Sequence, residues 1–263
     1  MNGFVTYLDP QPDASEVPLR LTHPFGVVPH LLAQHAAFQL KQNLAGGTYF
    51  AADEFTGFQR GKMFGVLLVR DNDARIGFIK AFSGMAQDSW LVDGFAGPLF
   101  DLDARDAVWP AGQAELGLYT AQLEAIAAFV ATMPNTGSRA TRERALADRG
   151  ELRERRAQRS NELLEHMRSG YRIPNARNET VTLREIFAPH APPGGAGDCA
   201  APKLFAFAQK HHLQPLALAE FWWGTTPTAG GRIPGTFYPA CLNKCGPILQ
   251  HMLKGWDVDE MRL

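Results

Sequence analysis

The sequence predicts an α/β (α+β) fold, in which a mixed sheet is flanked by helices and carries a long Arg-rich helical excursion. Three β-rich apolar runs predict the sheet: Lys62–Val69, Ile76–Phe82 and Pro215–Trp223. Between the second and third runs, segment 113–168 is helical in spacing and propensity. The 45% hydrophobic content of the 263 residues is enough for a sizeable core. We therefore expect one domain, 1–263, with 113–168 as an inserted helical hairpin.

The N-terminal part begins with an extended, Pro-rich lead-in over 1–30, since proline interrupts helices. Apolar residues at helical spacing predict a helix over Leu31–Leu44, which stops at two glycines. The runs 62–69 and 76–82 flank a turn-forming Arg-Asp-Asn-Asp sequence and predict an antiparallel hairpin. Both arms are nearly continuous in apolar residues, so we expect the hairpin to be covered on both faces.

The helical excursion follows an aromatic-rich segment, 87–112, that is expected to be irregular. An Ala/Leu-rich helix is predicted over 113–132, closed by Pro134 and Gly137, and a second helix over 139–167. Eight arginines give the second helix its character: Arg139, Arg142, Arg144, Arg149, Arg153, Arg155, Arg156 and Arg159.

Two interpretations of this arginine-rich helix remain open. Clustered arginines are typical of an RNA contact. Alternatively, the helix is a solvated face with ion pairs to the interspersed acids Glu143, Asp148, Glu151 and Glu154. The second interpretation is favoured because the acids keep the local charge excess small.

The segment 194–255 contains all three cysteines of the chain, each where a loop is expected to turn into a helix. Cys199 precedes a predicted helix over 201–211. A strand over 215–223 and a turn-rich loop over 225–235 follow. The last predicted helix runs from Cys241 to Leu253 and contains Cys245; before the segment, a short helix is predicted over 183–187.

Composition excludes several classes of protein. A net charge of −1 gives no global reason to expect a nucleic-acid or membrane partner. We find no apolar stretch long enough for a membrane span and no secretory signal at the N-terminus. An odd number of cysteines does not suit a secreted disulfide framework. We therefore expect a soluble, cytoplasmic protein whose cysteines are metal ligands or free thiols.

Cys199, Cys241 and Cys245 predict a zinc site, because a helix N-terminus favours the deprotonated sulfur. Three thiolates leave one tetrahedral position. Water would make the zinc catalytic in type, whereas His190, His211 or His212 would close a structural site. His251 is discounted, since a helix would place it roughly 15 Å from Cys241. Free buried thiols are the alternative to zinc.

The order of hairpin, excursion, Cys-bearing helix, strand and Cys-bearing helix resembles the cytidine deaminase superfamily. The resemblance places Cys199 on the first zinc ligand and Cys241 and Cys245 near the paired cysteines, although their spacing is one residue longer. The superfamily's general acid/base glutamate corresponds to Ala201. Deamination needs a group that moves protons between water and the leaving amine.

Asp198 and Glu220 are the carboxylates that could replace that glutamate. Glu220 lies in an apolar strand, where a carboxylate is either tuned for catalysis or paired, with Arg232 or Lys203 as partner. On the enzyme interpretation, Trp222, Trp223 and Tyr238 would stack on a planar substrate. Lys203 and Arg232 complete the expected substrate-binding set.

A closer resemblance covers most of the chain. The strings GDCAAPKLFAFA, LALAEFWWG and GTFYPACLNKCGPILQHMLKG resemble the region that precedes the catalytic domain in long-form RluA-family pseudouridine synthases. GKMFGVLLV, IGFIKAFSGM and QRSNELLEHM also fit. The synthase's catalytic H-R-L-D-type motif has no counterpart here, so the chain is expected to be an excised portion or a free-standing relative.

These resemblances lead to two functional expectations. The first is a zinc-binding, RNA-modification-associated module without synthase activity, which contacts RNA or an RNA-modifying protein through the Arg-rich helix. The second is a zinc-dependent hydrolase or deaminase-type enzyme that acts on a nucleobase-like or other planar small substrate. In neither case is a membrane expected as partner.

Overall fold

The computed structural model describes residues 3–51, 53–55, 61–133, 139–228 and 230–260. The helices and strands within these ranges follow one another in this order: β1 (Thr6–Tyr7), α1 (Leu31–Ala45), β2 (Lys62–Arg70), β3 (Ile76–Phe82), α2 (Leu102–Asp106), α3 (Trp109–Thr132), α4 (Arg139–Ser169), β4 (Ile173–Pro174), β5 (Thr180–Val181), α5 (Leu183–Phe187), α6 (Ala200–Lys210), β6 (Gln214–Trp223), β7 (Phe237–Tyr238) and α7 (Cys245–Met252).

Most of the predicted elements are confirmed, two differ, and one predicted boundary is not tested. Part of 87–112 is helical: α2 lies there, and α3 begins at Trp109 with a proline in its first turn. The last helix begins at Cys245 rather than at Cys241. The predicted helix stop at Pro134 and Gly137 lies outside the described residues.

The predicted α/β class is confirmed. The main sheet was expected to be mixed, but every pair of neighbouring strands in it is antiparallel. The order is β1-β3-β2-β6-β7, with a separate β4-β5 pair. Strand β2 is antiparallel to both β3 and β6. β3 and β6 therefore run in the same direction, as expected when a helix connects two strands, but β2 lies between them.

Both faces of the central strands are covered, as predicted. On one face, α1 packs on a cluster of buried aromatic rings from Phe50, Phe55, Phe64, Phe82 and Phe95. On the other face lies α6, with α7 packed against it. Alternation along β6 therefore points Phe221 and Trp223 toward α1, and Glu220 and Trp222 toward α6.

The chain divides into two compact units: a sheet unit, Met1–Leu99 with Arg172–Leu263, and a hairpin unit, Phe100–Tyr171. Within the sheet unit, the backbone amide of Arg172 donates a 2.9 Å hydrogen bond to the carbonyl of Leu99. Within the hairpin unit, α3 and α4 pack along each other. The two chain ends from which the hairpin unit departs are thus joined inside the sheet unit.

Candidate metal centre

Cys199 is the residue immediately before α6, in an extended conformation that ends the Gly-rich loop. The next two residues, Ala200 and Ala201, are fully buried against the sheet. Cys199 itself is only partly buried. The start of α6 therefore fixes the backbone of this cysteine, and the residue as a whole stays partly exposed.

Cys241 and Cys245 are arranged differently from the predicted pair on one helix. Cys241 lies in the turn ahead of α7, and buried Cys245 is the first residue of the helix. The backbone amide of Cys245 donates a 3.3 Å hydrogen bond to the Sγ atom of Cys241. The Cys241 sulfur thus accepts one of the amide hydrogens that a helix start leaves without an intrahelical partner.

The three sulfur atoms all lie within 4.8 Å of one another. Sulfurs on a tetrahedral zinc, with bonds of about 2.3 Å, would be roughly 3.8 Å apart. The cysteine triad therefore needs a contraction of about 1 Å at most to hold a metal ion. This confirms that the predicted cysteines converge on one potential metal site.

The electrostatics of the triad favour one thiolate at Cys241. Hydrogen bonds donated by the Cys199 and Cys245 thiols, followed by the amides of Cys245 and Lys244, lower the pKa of Cys241. Donation to Cys241 raises the pKa of Cys199, and donation to Cys199 and then to Cys241 raises the pKa of Cys245. A metal ion would replace the two shared protons as the group that balances the sulfur charges.

A fourth protein ligand does not join the triad within the described ranges: no histidine nitrogen or carboxylate oxygen lies within 4.8 Å of all three sulfurs. Two of the histidines considered from the sequence lie at the far end of α6. The ring of His211 packs against Phe207 in a tilted arrangement with centroids 4.1 Å apart, and His212 follows it in a left-handed conformation. His190 lies after α5 and is exposed.

Glu220 is a buried carboxylate with the properties that a proton-transferring group needs. It is 4% exposed on β6, and one oxygen accepts a 3.1 Å hydrogen bond from the backbone amide of Ala201. Burial raises the pKa of Glu220 to about 7, against the Ala201 bond; the charge of Cys241 adds to the rise and Arg232 opposes it. A carboxylic acid with this pKa can both donate and accept a proton near neutrality.

Asp198 and Lys203 lie on either side of the start of α6. Asp198 is half-buried, and its backbone carbonyl accepts a hydrogen bond from the amide of Gly84. Lys203 is buried, and its Nζ donates 2.9 Å hydrogen bonds to the carbonyls of Phe82 and Gly84. Its ammonium therefore ties α6 to the end of β3, rather than being presented to a substrate.

The two tryptophans are divided between the faces of the sheet. Trp222 lies on the Glu220 face, and its indole nitrogen donates a 3.1 Å hydrogen bond to the carbonyl of Thr225. Trp223 packs against the aromatic cluster on the α1 face. Of these two tryptophans, only Trp222 therefore lies on the face of the sheet that carries the cysteine triad.

Tyr238 and Arg232 complete the Glu220 face. Tyr238 on β7 is the direct register partner of Glu220 on β6. The guanidinium of Arg232 lies 4.2 Å from the centre of the Tyr238 ring, whose hydroxyl accepts a hydrogen bond from the amide of Ile233. Because Arg232 and Glu220 are not bonded to each other, the predicted direct pairing is replaced by the amide of Ala201.

Six arginines of α4 fall into two groups within the hairpin unit. Arg156 bonds the hydroxyl of Thr120 and Arg159 the carboxylate of Glu115, and both partners are on α3. Arg142, Arg144, Arg153 and Arg155 are exposed, and Arg155 faces Glu151 at 3.9 Å. The ion-paired interpretation therefore describes part of the helix, and an exposed basic set remains.

Gly65 is a site residue that the sequence reasoning missed. It is the register partner of Glu220 on β2, and a Cβ atom there would lie 3.0 Å from Ala200 and 3.4 Å from Cγ of Glu220. A side chain at this position would crowd the carboxylate and the first turn of α6, which would have to shift by a few tenths of an ångström. A glycine inside a strongly apolar strand was the available signal of such a close approach.

Comparisons of the chain with family profiles, with curated proteins and with solved structures returned no match. Among the helices in the described part of the chain, none combines the length and the apolar character needed to cross a bilayer. Function is therefore inferred from the residues of the site and from the motifs of the sequence.

Proposed function

We propose that this chain is a zinc-binding module associated with RNA modification. The observation that carries zinc binding is the convergence of three sulfur atoms within 4.8 Å of one another. Thiolates are soft ligands, and zinc is the common ion for such sets. Three reduced cysteines also suit a reducing compartment such as the cytoplasm.

The association with RNA modification is supported by the motifs shared with long-form RluA-family synthases. All three cysteines and Glu220 lie inside those motifs. The exposed arginines of α4 offer a surface for phosphates. In this role the zinc ion ties the start of α6 to the turn before α7.

Zinc content measured after purification in metal-free buffer tests the proposal. We expect about one zinc per chain, since one three-sulfur site is present. Cys199→Ser, Cys241→Ser and Cys245→Ser should each lose the metal. The matched variants His190→Ala and His212→Ala should retain it, because neither histidine joins the triad. Zinc-free protein with three thiols that are alkylated in the native state would contradict the proposal.

A second candidate is a zinc-dependent hydrolase or deaminase-type enzyme, and two observations favour it. The deaminase glutamate corresponds to Ala201, and the Glu220 carboxylate binds the amide of that residue. A buried carboxylate on β6 therefore lies beside the position in the first turn of α6 that the deaminase glutamate would occupy. The described residues also contribute no fourth ligand, as a catalytic site requires.

In this second candidate, Cys199, Cys241 and Cys245 would hold the metal. Bound zinc would supply a Lewis acid that activates water at neutral pH. Glu220 would accept a proton on its free oxygen and return it to a leaving amine, while the Ala201 amide fixes the other oxygen. Trp222 and Tyr238 lie on the same face of the sheet and would position a planar substrate.

A further inference from the structure

Cys241 is the member of the cysteine triad that solvent reaches most easily. The residue is partly exposed, and its sulfur is the least buried of the three. Cys245, by contrast, is only 1% exposed. Oxidation of a cysteine by a peroxide requires access to the sulfur atom. Cys241 is therefore the first target in the triad for a small oxidant that arrives from solvent.

Cys199 and Cys241 share a second property, since neither lies within a helix. Cys199 ends the Gly-rich loop before α6, and Cys241 lies in the turn before α7. This loop and this turn are neighbours, because a Cβ atom at Gly195 would lie 3.9 Å from Nζ of Lys244. Both backbones can therefore adjust without unwinding a helix, whereas Cys245 is held as the buried first residue of α7.

The sulfurs of Cys199 and Cys241 are close enough for a bond to form between them. All three sulfurs of the triad lie within 4.8 Å of one another. The thiol of Cys199 also donates a hydrogen bond to the sulfur of Cys241, so the two sulfur atoms face each other. A disulfide bond is about 2.05 Å long, so an approach of at most about 2.8 Å, shared by the loop and the turn, would join them.

We propose that the triad is also a site of redox modification, in which a peroxide converts Cys199 and Cys241 into a reversible disulfide. In the first step the sulfur of Cys241 bonds to one peroxide oxygen, the O–O bond breaks, and a sulfenic acid and one water form. In the second step the sulfur of Cys199 displaces that oxygen, which leaves as a second water with the remaining thiol proton. The two thiols are oxidised, and the peroxide is reduced.

The disulfide does not require a bound metal, but its consequence for zinc rests on the proposed function. A bound zinc ion would lose two of its three sulfur ligands when the disulfide forms, and it would be released. Small thiols would restore the site by thiol–disulfide exchange. Disulfide formation and metal release are therefore measured separately, so that the failure of one is distinguished from the failure of the other.

The test treats the full chain, incubated with a chelator, with hydrogen peroxide; free thiols are then alkylated and the protein is digested with trypsin. Cleavage after lysine and arginine places the three cysteines in three different peptides, 185–203, 233–244 and 245–254. We expect 185–203 to be linked to 233–244, and Cys245 to be alkylated. Dithiothreitol added before alkylation should remove the link. A parallel sample loaded with zinc should release the ion as the link forms.

Variants distinguish the roles of the three cysteines. The control Cys245→Ser should still form the link, because its thiol takes no part in the bond. Cys199→Ser should stop at the sulfenic acid of Cys241, which dimedone traps. Cys241→Ser should give no link between the peptides of Cys199 and Cys245 at the same peroxide concentration. Peptide mapping of the wild type decides the question even if a variant fails to fold.

Three results would overturn the proposal. Full alkylation of all three thiols after peroxide treatment would show that the triad resists oxidation. A link between 233–244 and 245–254 would identify Cys245, rather than Cys199, as the partner of Cys241. Equal rates of link formation in the folded chain and in the chain unfolded by urea would show that the fold does not direct the bond. Zinc retained while the link forms would contradict the release of the ion alone.

Discussion

The carboxylate of Glu220 accepts a 3.1 Å hydrogen bond from the backbone amide of Ala201, so a strand residue binds the first turn of the helix that follows Cys199. Burial raises the pKa of this carboxylate to about 7. Glutamine at this position can still accept the amide hydrogen but cannot transfer a proton. Comparison of glutamate with glutamine at position 220 therefore distinguishes a structural role of this residue from a catalytic one.

We expect Glu220→Gln to keep the zinc content and the melting temperature of the wild type. If the second candidate function holds, the variant should release no ammonia from nucleobase or nucleoside substrates that the wild type deaminates. Glu220→Ala, which leaves the buried amide without its partner, should cost about 1–3 kcal/mol of unfolding free energy in urea. Activity retained in Glu220→Gln would exclude proton transfer by this residue.

Gly65→Ala should disturb the metal centre from the opposite strand. The added methyl group would lie 3.0 Å from Ala200 and 3.1 Å from Leu204, both on α6. We expect a loss of about 1–3 kcal/mol in unfolding free energy and weaker zinc retention against a chelator. The control Gly117→Ala, with open space on α3, should be neutral or slightly stabilising. Equal zinc retention in wild type and Gly65→Ala would show that α6 is not held by this contact.

Lys203 predicts a specific dependence of stability on pH. Burial lowers the pKa of Lys203 from 10.5 to about 8, so between these values the unfolded chain binds more protons than the folded chain. Stability from this residue should therefore rise with pH through this window, by about 3 kcal/mol in all.

The measurement is the difference in unfolding free energy between wild type and Lys203→Met, in urea at pH 7.5 and at pH 10.5. We expect the wild type to gain relative to the variant at the higher pH. Because other groups titrate in both proteins, only the difference reports on Lys203. If the difference in unfolding free energy is the same at both pH values, the pKa of Lys203 is not lowered in the folded protein.

The exposed arginines of α4 provide the test of RNA binding. Reversing Arg153 and Arg155 together should weaken binding to RNA and reduce the magnitude of its logarithmic salt dependence by about 1–2, since each phosphate contact releases counterions. The melting temperature should hardly change, because both side chains are exposed.

Arg156→Gln is the matched control within the same helix. It removes the bond to Thr120 on α3, so it should lower hairpin stability more than RNA affinity. If the variant with both charges reversed binds RNA as tightly as the wild type, only the ion-paired interpretation of the helix remains. Affinity that does not respond to salt would lead to the same conclusion.

The elements predicted best from the sequence are those whose pattern is local. The apolar runs of β2 and β3 and the short helix α5 follow directly from residue spacing, and the structure has them within one residue of their predicted bounds. The start of α7 was predicted wrongly because Cys241 and Cys245 are compatible with one helix face. The position of Cys199 determines whether Cys241 continues the helix or accepts its first amide hydrogen. Residue spacing along the chain carries no information about that position.

The candidate site shows the same division. Convergence of the three cysteines was predicted from their places near helix starts, and it is confirmed by the positions of their sulfur atoms. The Glu220 bond was not predicted, since it needs the register of β6 against β2 and the close approach that Gly65 permits. The burial of Lys203 was also missed, because a lysine in a first helical turn is ordinarily solvated.

The hydrogen bond between Arg172 and Leu99 has a consequence for how this gene can change. The two residues that flank the hairpin unit are already held together, so the sheet unit is closed whether few or many residues separate them. Lengthening such an intervening segment twofold costs only about 0.6 kcal/mol in chain entropy. Lengthening or complete removal of the segment between codons 100 and 171 would therefore leave the sheet unit able to close, whereas a single-residue shift within β2 or β6 would move Gly65 away from Glu220.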